Sequence, residues 1–141
     1  MAKNIYEIFD EFAAANTKQE RLQVLRNNWT PTVMKVLQLA YHPDIKWKVK
    51  DKPKKYKTPD TLPGVSYSNI NAELRRIYLF LEGNPSAENL SEQKREELLL
   101  IMLESLEPRE ADVIMGIFKK DLGVKGLTYK FIRDNTEGVV P

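Results

Sequence analysis

The chain contains no cysteine. Disulfides, thiolate nucleophiles and cysteine-based zinc sites are thereby excluded, and the composition suits a reducing compartment. Histidine is almost as scarce: His42 stands alone, directly before Pro43, where a capping or surface role outweighs general-base work. No Walker-type phosphate loop and no H-E-x-x-H string occurs, so phosphate-loop hydrolysis and zinc proteolysis have no motif to rest on. The acid pairs Glu96 with Glu97 and Glu110 with Asp112 read as parts of an acidic helix face, not as ligands. No catalytic residue, metal or cofactor is expected, and the protein is read as a non-enzyme. No apolar run is long enough to span a bilayer. The opening M-A-K-N-I-Y-E-I-F-D puts charges inside the first helical repeat, so a signal peptide is not expected and a cytoplasmic protein is.

What the chain has is lysine in one place. Residues 46–57 read K-W-K-V-K-D-K-P-K-K-Y-K, seven lysines against Asp51, a local charge of +6 in a chain whose total is +2. Lys46, Lys48, Lys50 and Lys52 alternate with Trp47, Val49 and Asp51. An extended backbone therefore turns four ammonium groups to one side and Trp47 with Val49 to the other. Lysines at this spacing beside aromatics suit phosphate tracking on a nucleic acid, the plainer alternative being a solvated loop. Pro53, Pro59 and Pro63 exclude a long helix here. Trp47 is either a core anchor or a groove-contacting ring, with core packing favoured for it and for Trp29.

Helical periodicity accounts for most of the remainder. Ile5, Ile8, Phe9 and Phe12 recur at i, i+3, i+4 and i+7. Thr17 with Glu20 forms a capping-box pattern ahead of a second helix that buries Leu22 and Leu25. Thr30-Pro31 opens a third, carrying Val33, Met34, Val36, Leu37, Ala40 and Tyr41, which His42-Pro43 ends. After a turn at Pro63-Gly64, Leu74, Ile77, Tyr78 and Leu81 suggest a fourth helix stopped by Gly83-Asn84. Ser91 caps a fifth with Leu98, Leu99, Ile101, Met102 and Leu106. Pro108 opens a sixth with Val113, Ile114, Ile117 and Phe118, and Thr128 to Arg133 gives a short last one. The expected fold is all-α, a compact single-domain bundle of about six or seven helices over residues 1–141, with a basic loop at 44–65. Within residues 45–58 that segment is either a small hairpin or an extended loop.

Charge separates again in the second half. Residues 85–112 hold eight acids against three bases, and residues 113–133 hold Lys119, Lys120, Lys125, Lys130 and Arg133 against Asp121. Gly123-Val124-Lys125-Gly126 lies between two helical patterns. Its glycines either cap a helix or offer backbone amides to a phosphate, as in the turn of a helix-hairpin-helix motif.

Several short runs, in order, carry a resemblance: N-T-K-Q-E-R at Asn16 to Arg21, the helix ending at Leu39-Ala40-Tyr41, I-K-W-K-V-K-D-K-P-K at Ile45 to Lys54, L-E-G-N-P-S-A at Leu81 to Ala87, and F-K-K-D-L-G at Phe118 to Gly123. Over residues 8 to 141 the chain resembles the N-terminal helical DNA-binding domain of T4-type bacteriophage ATP-dependent DNA ligases. The resemblance implies an all-α domain that grips the minor-groove side of nicked duplex DNA through phosphate and sugar contacts. The matching basic positions are Lys46, Lys48, Lys54, Lys119 and Lys120. The glycine turn departs from the family's spacing, which leaves Gly123 and Gly126 as competing equivalents and ties Lys125 and Lys130 to the interface less closely. The K-x-D-G string of the adenylation domain does not occur in this sequence. A free-standing version of the domain is expected, since Met1 opens the chain and the last helix is complete.

The combined expectation is a phage accessory protein that binds duplex or nicked DNA without sequence specificity. Its candidate contacts are Lys46, Lys48, Lys50, Lys52, Lys54, Lys55, Lys57, Lys119, Lys120, Gly123, Lys125, Gly126 and Lys130. The alternatives are a protein-interaction module that kept the fold, with a sliding clamp or another replication or host protein as partner, and a fragment of a longer ligase. Oligomeric state is left open.

Overall fold

The computed structural model describes residues 3–57 and 67–141. The expected turn at Pro63-Gly64 and the basic loop beyond residue 57 lie outside them. Among the described residues the protein is all-α, with eight α-helices, one 3₁₀ turn and no strand. The chain divides into two compact units, Met1–Ile45 with Lys120–Pro141, and Lys46–Lys119.

The first unit contains α1 (Ile5–Ala14), α2 (Lys18–Asn27), α3 (Pro31–Tyr41) and α8 (Tyr129–Asn135). Three of these begin on a threonine in extended backbone. The Oγ1 atoms of Thr17, Thr30 and Thr128 accept from the N–H groups of Glu20, Val33 and Phe131 at 3.1, 3.2 and 3.1 Å. Each satisfies a donor the helix cannot satisfy itself. Glu20 returns a bond to the backbone, but to Asn16 N–H rather than to that of Thr17. The apolar face of α1 is buried as its spacing predicts, and the Phe12 ring meets Phe131 edge-on at 5.2 Å. Three expectations fail in this unit: Met34 and Trp29 are each 40% exposed, and α2 buries Leu25 but leaves Leu22 half-buried. Met34 lies just off the stripe Val33-Val36-Leu37-Ala40 that α3 buries, and Trp29 follows the end of α2, outside any helical face.

The second unit contains α4 (Ile70–Leu74), the 3₁₀ turn Ile77–Phe80, α5 (Pro85–Glu88), α6 (Glu92–Ser105) and α7 (Pro108–Lys119). Here the expected fourth helix is corrected. It breaks after Leu74, and the face turned inward is Ile70, Glu73, Ile77 and Phe80, while Tyr78 is exposed. The tighter 3₁₀ winding eclipses residues three apart, so Ile77 and Phe80 bury together. It also releases Leu81 into extended backbone, which allows an isolated antiparallel bridge to Trp47. The expected helix stop at Gly83-Asn84 is also corrected: the 3₁₀ turn ends at Phe80, and Asn84 starts α5 instead, its Oδ1 accepting from Ser86 N–H and Ala87 N–H.

α7 is nearly all buried from Glu110 to Phe118, which accounts for two acids inside the unit. Glu107 caps it, its Oε2 accepting from Arg109 and Glu110 N–H at 2.9 and 3.3 Å. Glu110 is not part of an exposed acidic face. Its Oε2 accepts from Ile70 N–H, the first amide of α4, at 3.2 Å. Burial, and to a smaller degree the neighbouring Glu107, hold its carboxyl above the ordinary range, against the lowering effect of that hydrogen bond.

Two predictions follow from this packing. Phe118 meets Trp47 at 5.2 Å and Phe80 at 5.4 Å. Phe118→Ala should cost about 3–5 kcal/mol in urea unfolding and accelerate hydrogen exchange at the Lys48 and Glu82 amides that tie residues 46–48 to residues 80–82. For Glu110, a native carboxyl raised above its unfolded value binds more protons in the folded state, so its contribution to stability falls as pH rises from the ordinary glutamate range through the raised value. Glu110→Gln keeps an acceptor for Ile70 N–H. Its stability relative to the parent chain should therefore grow with pH across that window, and a constant difference from pH 4 to 8 would contradict the assignment.

Candidate nucleic-acid interface

Residues 46–50 run as a strap fixed by the backbone and by burial, bridged at Trp47 and bent at Lys48. Lys48 N–H donates to Phe80 O and Glu82 N–H to Lys46 O, both at 2.9 Å. Trp47 is 4% exposed, its ring edge-on to Phe118, and Val49 is buried behind it. The alternation expected from the sequence is therefore present, and the segment is an extended loop rather than a hairpin. Beyond it, Tyr56 N–H closes a turn on Pro53 O at 3.0 Å, which puts Lys54 and Lys55 at an exposed tip.

The lysines of the strap are not equivalent. Lys48 Nζ lies 2.9 Å from Glu88 Oε2. The other oxygen of Glu88 accepts from Gly83 N–H at 2.9 Å, and this bond, with the Lys48 ammonium, lowers the Glu88 pKa. Lys52 Nζ lies 3.1 Å from Asp112 Oδ1 and 5.5 Å from the centre of the Tyr56 ring. Lys46, Lys50, Lys54, Lys55 and Lys57 are exposed and have no acidic partner among the described residues. Lys48 to Lys54 form one wall of a groove of about 380 Å³, and Glu92, Arg95, Glu96 and Leu99 of α6 form the other. Arg95 turns inward there, its Nη2 donating to Ala87 O and Leu90 O at the end of α5.

The second basic cluster falls apart on inspection. Lys119, exposed in the last turn of α7, belongs with the strap to the second unit, whereas Lys120, Gly123, Lys125, Gly126 and Lys130 belong to the first. Lys120 takes the left-handed conformation that glycine usually supplies after a helix, with φ +61°. Its Nζ donates to Leu39 O and His42 O at 3.2 and 2.6 Å, closing the carbonyl end of α3, and burial lowers its pKa. Lys120 is a structural cation rather than an open phosphate contact.

The glycine turn is likewise spent on the fold. Gly123 N–H donates to Asp121 Oδ1 at 2.8 Å, Leu122 N–H to the Tyr41 hydroxyl at 3.2 Å, and Leu127 N–H to Val124 O at 3.0 Å. Tyr41 in turn donates to Leu127 O at 3.1 Å. Gly126 stands at φ +82° against Arg21, where a Cβ would come within 2.8 Å of the guanidinium carbon. Neither glycine caps a helix, and three of the amides around them are already paired. Lys125 and Lys130 remain exposed.

His42 is the C-cap of α3, and its Nδ1 accepts from Asp44 N–H at 3.1 Å, in keeping with the capping role read from the sequence. Among the described residues, no group of three or more His, Asp or Glu side chains could hold a metal ion, and no helix is long and apolar enough to cross a membrane. What the sequence did not signal is the pair of acids on the strap. Asp112 lies sixty positions from Lys52, and no local pattern links the two.

These features define an all-α protein whose second unit carries an extended lysine strap with an aromatic backing. The chain belongs to the DUF6433 family, described as a family of unknown function, whose model matches residues 8–124. No curated protein sequence matches it.

The assignment of Lys120 is open to a direct check. Lys120→Ala should lower stability in urea unfolding by about 1–2 kcal/mol, the cost of removing a charged donor from a helix carbonyl end. A variant of unaltered stability would contradict the structural role.

Proposed function

We propose that this protein is a non-enzymatic DNA-binding protein that holds duplex DNA through phosphate contacts along residues 46–57. The observation that carries the reading is the burial of Trp47 and Val49, with Lys46 and Lys50 exposed on either side of them. Fixing the backbone in this way removes part of the ordering cost that a mobile lysine loop meets on binding. Phosphate contact is sequence-independent, and nothing in the strap resembles a base-reading helix, so affinity without sequence preference is the expected behaviour.

The resemblance to the DNA-binding domain of T4-type phage ligases supports a role at nicks or junctions and a phage accessory protein as the setting. Of the positions that resemblance implies, Lys46, Lys48 and Lys54 lie on the strap, and Lys119 lies in the same unit. Lys46, Lys50, Lys54, Lys55 and Lys57 are the primary contacts in this reading, because each ammonium is open to solvent.

Fluorescence anisotropy with intact, nicked and single-stranded DNA of equal length, across a salt series, tests it. Five neutralised phosphates give a log–log salt slope of about −4.5. Changing Lys50, Lys54, Lys55 and Lys57 together to glutamate should reduce affinity by at least about tenfold with an unchanged helical circular dichroism spectrum. Equal affinity in that variant would remove the strap from the interface. No binding of the parent chain at low salt would favour protein docking instead, for which α6 offers Ile101, 56% exposed, on one face with Glu97 and Glu104.

A further inference from the structure

Two of the four alternating lysines on the strap are already engaged by carboxylates of the same chain. Lys46 and Lys50 are open, whereas Lys48 is paired with Glu88 and Lys52 with Asp112. The two acids come from different elements, α5 and α7. Glu88 is held in place by Gly83 N–H, so its free oxygen is aimed at Lys48 without further ordering. Across the groove Glu92 and Glu96 add negative charge opposite the same lysines. A carboxylate and a phosphate oxygen make the same kind of charge-assisted hydrogen bond to an ammonium. Each paired lysine must therefore exchange one for the other, or remain outside the contact.

We propose that Glu88 and Asp112 are built-in competitors for the DNA phosphates, occupying Lys48 and Lys52 and so holding the affinity of the strap below what its seven lysines could deliver. The inference rests on the DNA-binding reading and concerns the regulation of that same surface. In the free protein the strap offers its open lysines alone. The two pairs neutralise the Lys48 and Lys52 ammonium groups, and DNA binds at the cost of whichever pairs it displaces. Because an exposed ion pair of this kind shifts an equilibrium by a factor of about 1.4 to 5, the competition tunes affinity without abolishing it. It also limits residence on non-specific duplex, where the phosphate term supplies nearly all of the binding.

The test compares the full chain with E88Q/D112N and with E97Q/E104Q. Both double variants remove two negative charges from the second unit, but Glu97 and Glu104 are exposed on α6 and touch no strap lysine. Glutamine at 88 retains a carbonyl for Gly83 N–H, so the loop around it is preserved. In anisotropy titrations on duplex DNA, E88Q/D112N should bind about fivefold more tightly. Its salt slope should steepen from about −4.5 to about −6 as two further lysines reach phosphates. E97Q/E104Q should stay within about twofold of the parent chain. Equal gains in both variants would mean that net charge alone acts, and no gain in E88Q/D112N would mean that the pairs do not compete; either overturns the proposal. Should none of the three proteins bind DNA, the functional reading falls separately. Elution from immobilised heparin then decides the competition: E88Q/D112N leaving the column at higher salt than E97Q/E104Q supports it, and coincident elution refutes it.

Discussion

The contact on which the second unit depends is the edge-on meeting of Trp47 with Phe118, with Phe80 closing on the same ring. An extended segment of alternating lysines has no reason of its own to stay extended. Its ammonium groups repel one another, and one isolated bridge to Leu81 supplies few hydrogen bonds. Burial of an indole supplies what those bonds cannot, since an aromatic of this size removes some 150–250 Å² from water. The position of Trp47 then dictates the rest. Lys46 and Lys48 must point away from the ring, Phe80 and Glu82 must present their backbone to the strap, and the helix before them must unwind at Leu81 to do so.

Electrostatics act within that frame and divide the lysines into two kinds. Those beside an acid fixed by the fold, Lys48 and Lys52, are neutralised locally, and those that face solvent are available to a polyanion. Asp112 reaches Lys52 because α7 buries its other side, from Glu110 to Phe118, and leaves Asp112 outside. Glu88 reaches Lys48 because a helix of four residues, started by Asn84, turns the chain back over Gly83. Each of these constraints is a packing or capping requirement first. Charge pairing follows from where packing puts the carboxylates.

The helices were legible in the sequence where a local start signal stood, as at Thr17, Thr30, Ser91, Pro108 and Thr128, even where, as in α6, the apolar residues form a continuous run that leaves Ile101 exposed. The fourth helix misled because Leu74, Ile77, Tyr78 and Leu81 also make a helical stripe. The face that is buried, Ile70-Glu73-Ile77-Phe80, contains a glutamate that hydropathy alone places outside. Trp29 was misread for the converse reason, a large apolar residue taken as core although it lies beyond the helix end. Within the site, the extended comb and its aromatic backing could be read from period-two alternation. The acids that engage it could not, because Glu88 and Asp112 approach through tertiary packing and carry no signal in the spacing of the sequence.

Lys119 and Lys120 show why a basic run is a poor guide to an interface on its own. They are adjacent and identical, yet one ends a helix with its side chain in solvent and the other turns left-handed and inward. The difference comes from the backbone: at φ +61° the Lys120 side chain leaves the course of α7 and reaches the Leu39 and His42 carbonyls at the end of α3. An ammonium on a long flexible stem is one of the few groups that can reach two such carbonyls at once. A cation recruited for that purpose has two of its three N–H donors committed inside the fold, however basic its neighbourhood. The same criterion applied to the strap separates its open lysines from its engaged ones, and it depends on where each nitrogen finds oxygen inside the fold rather than on how many lysines stand in a row.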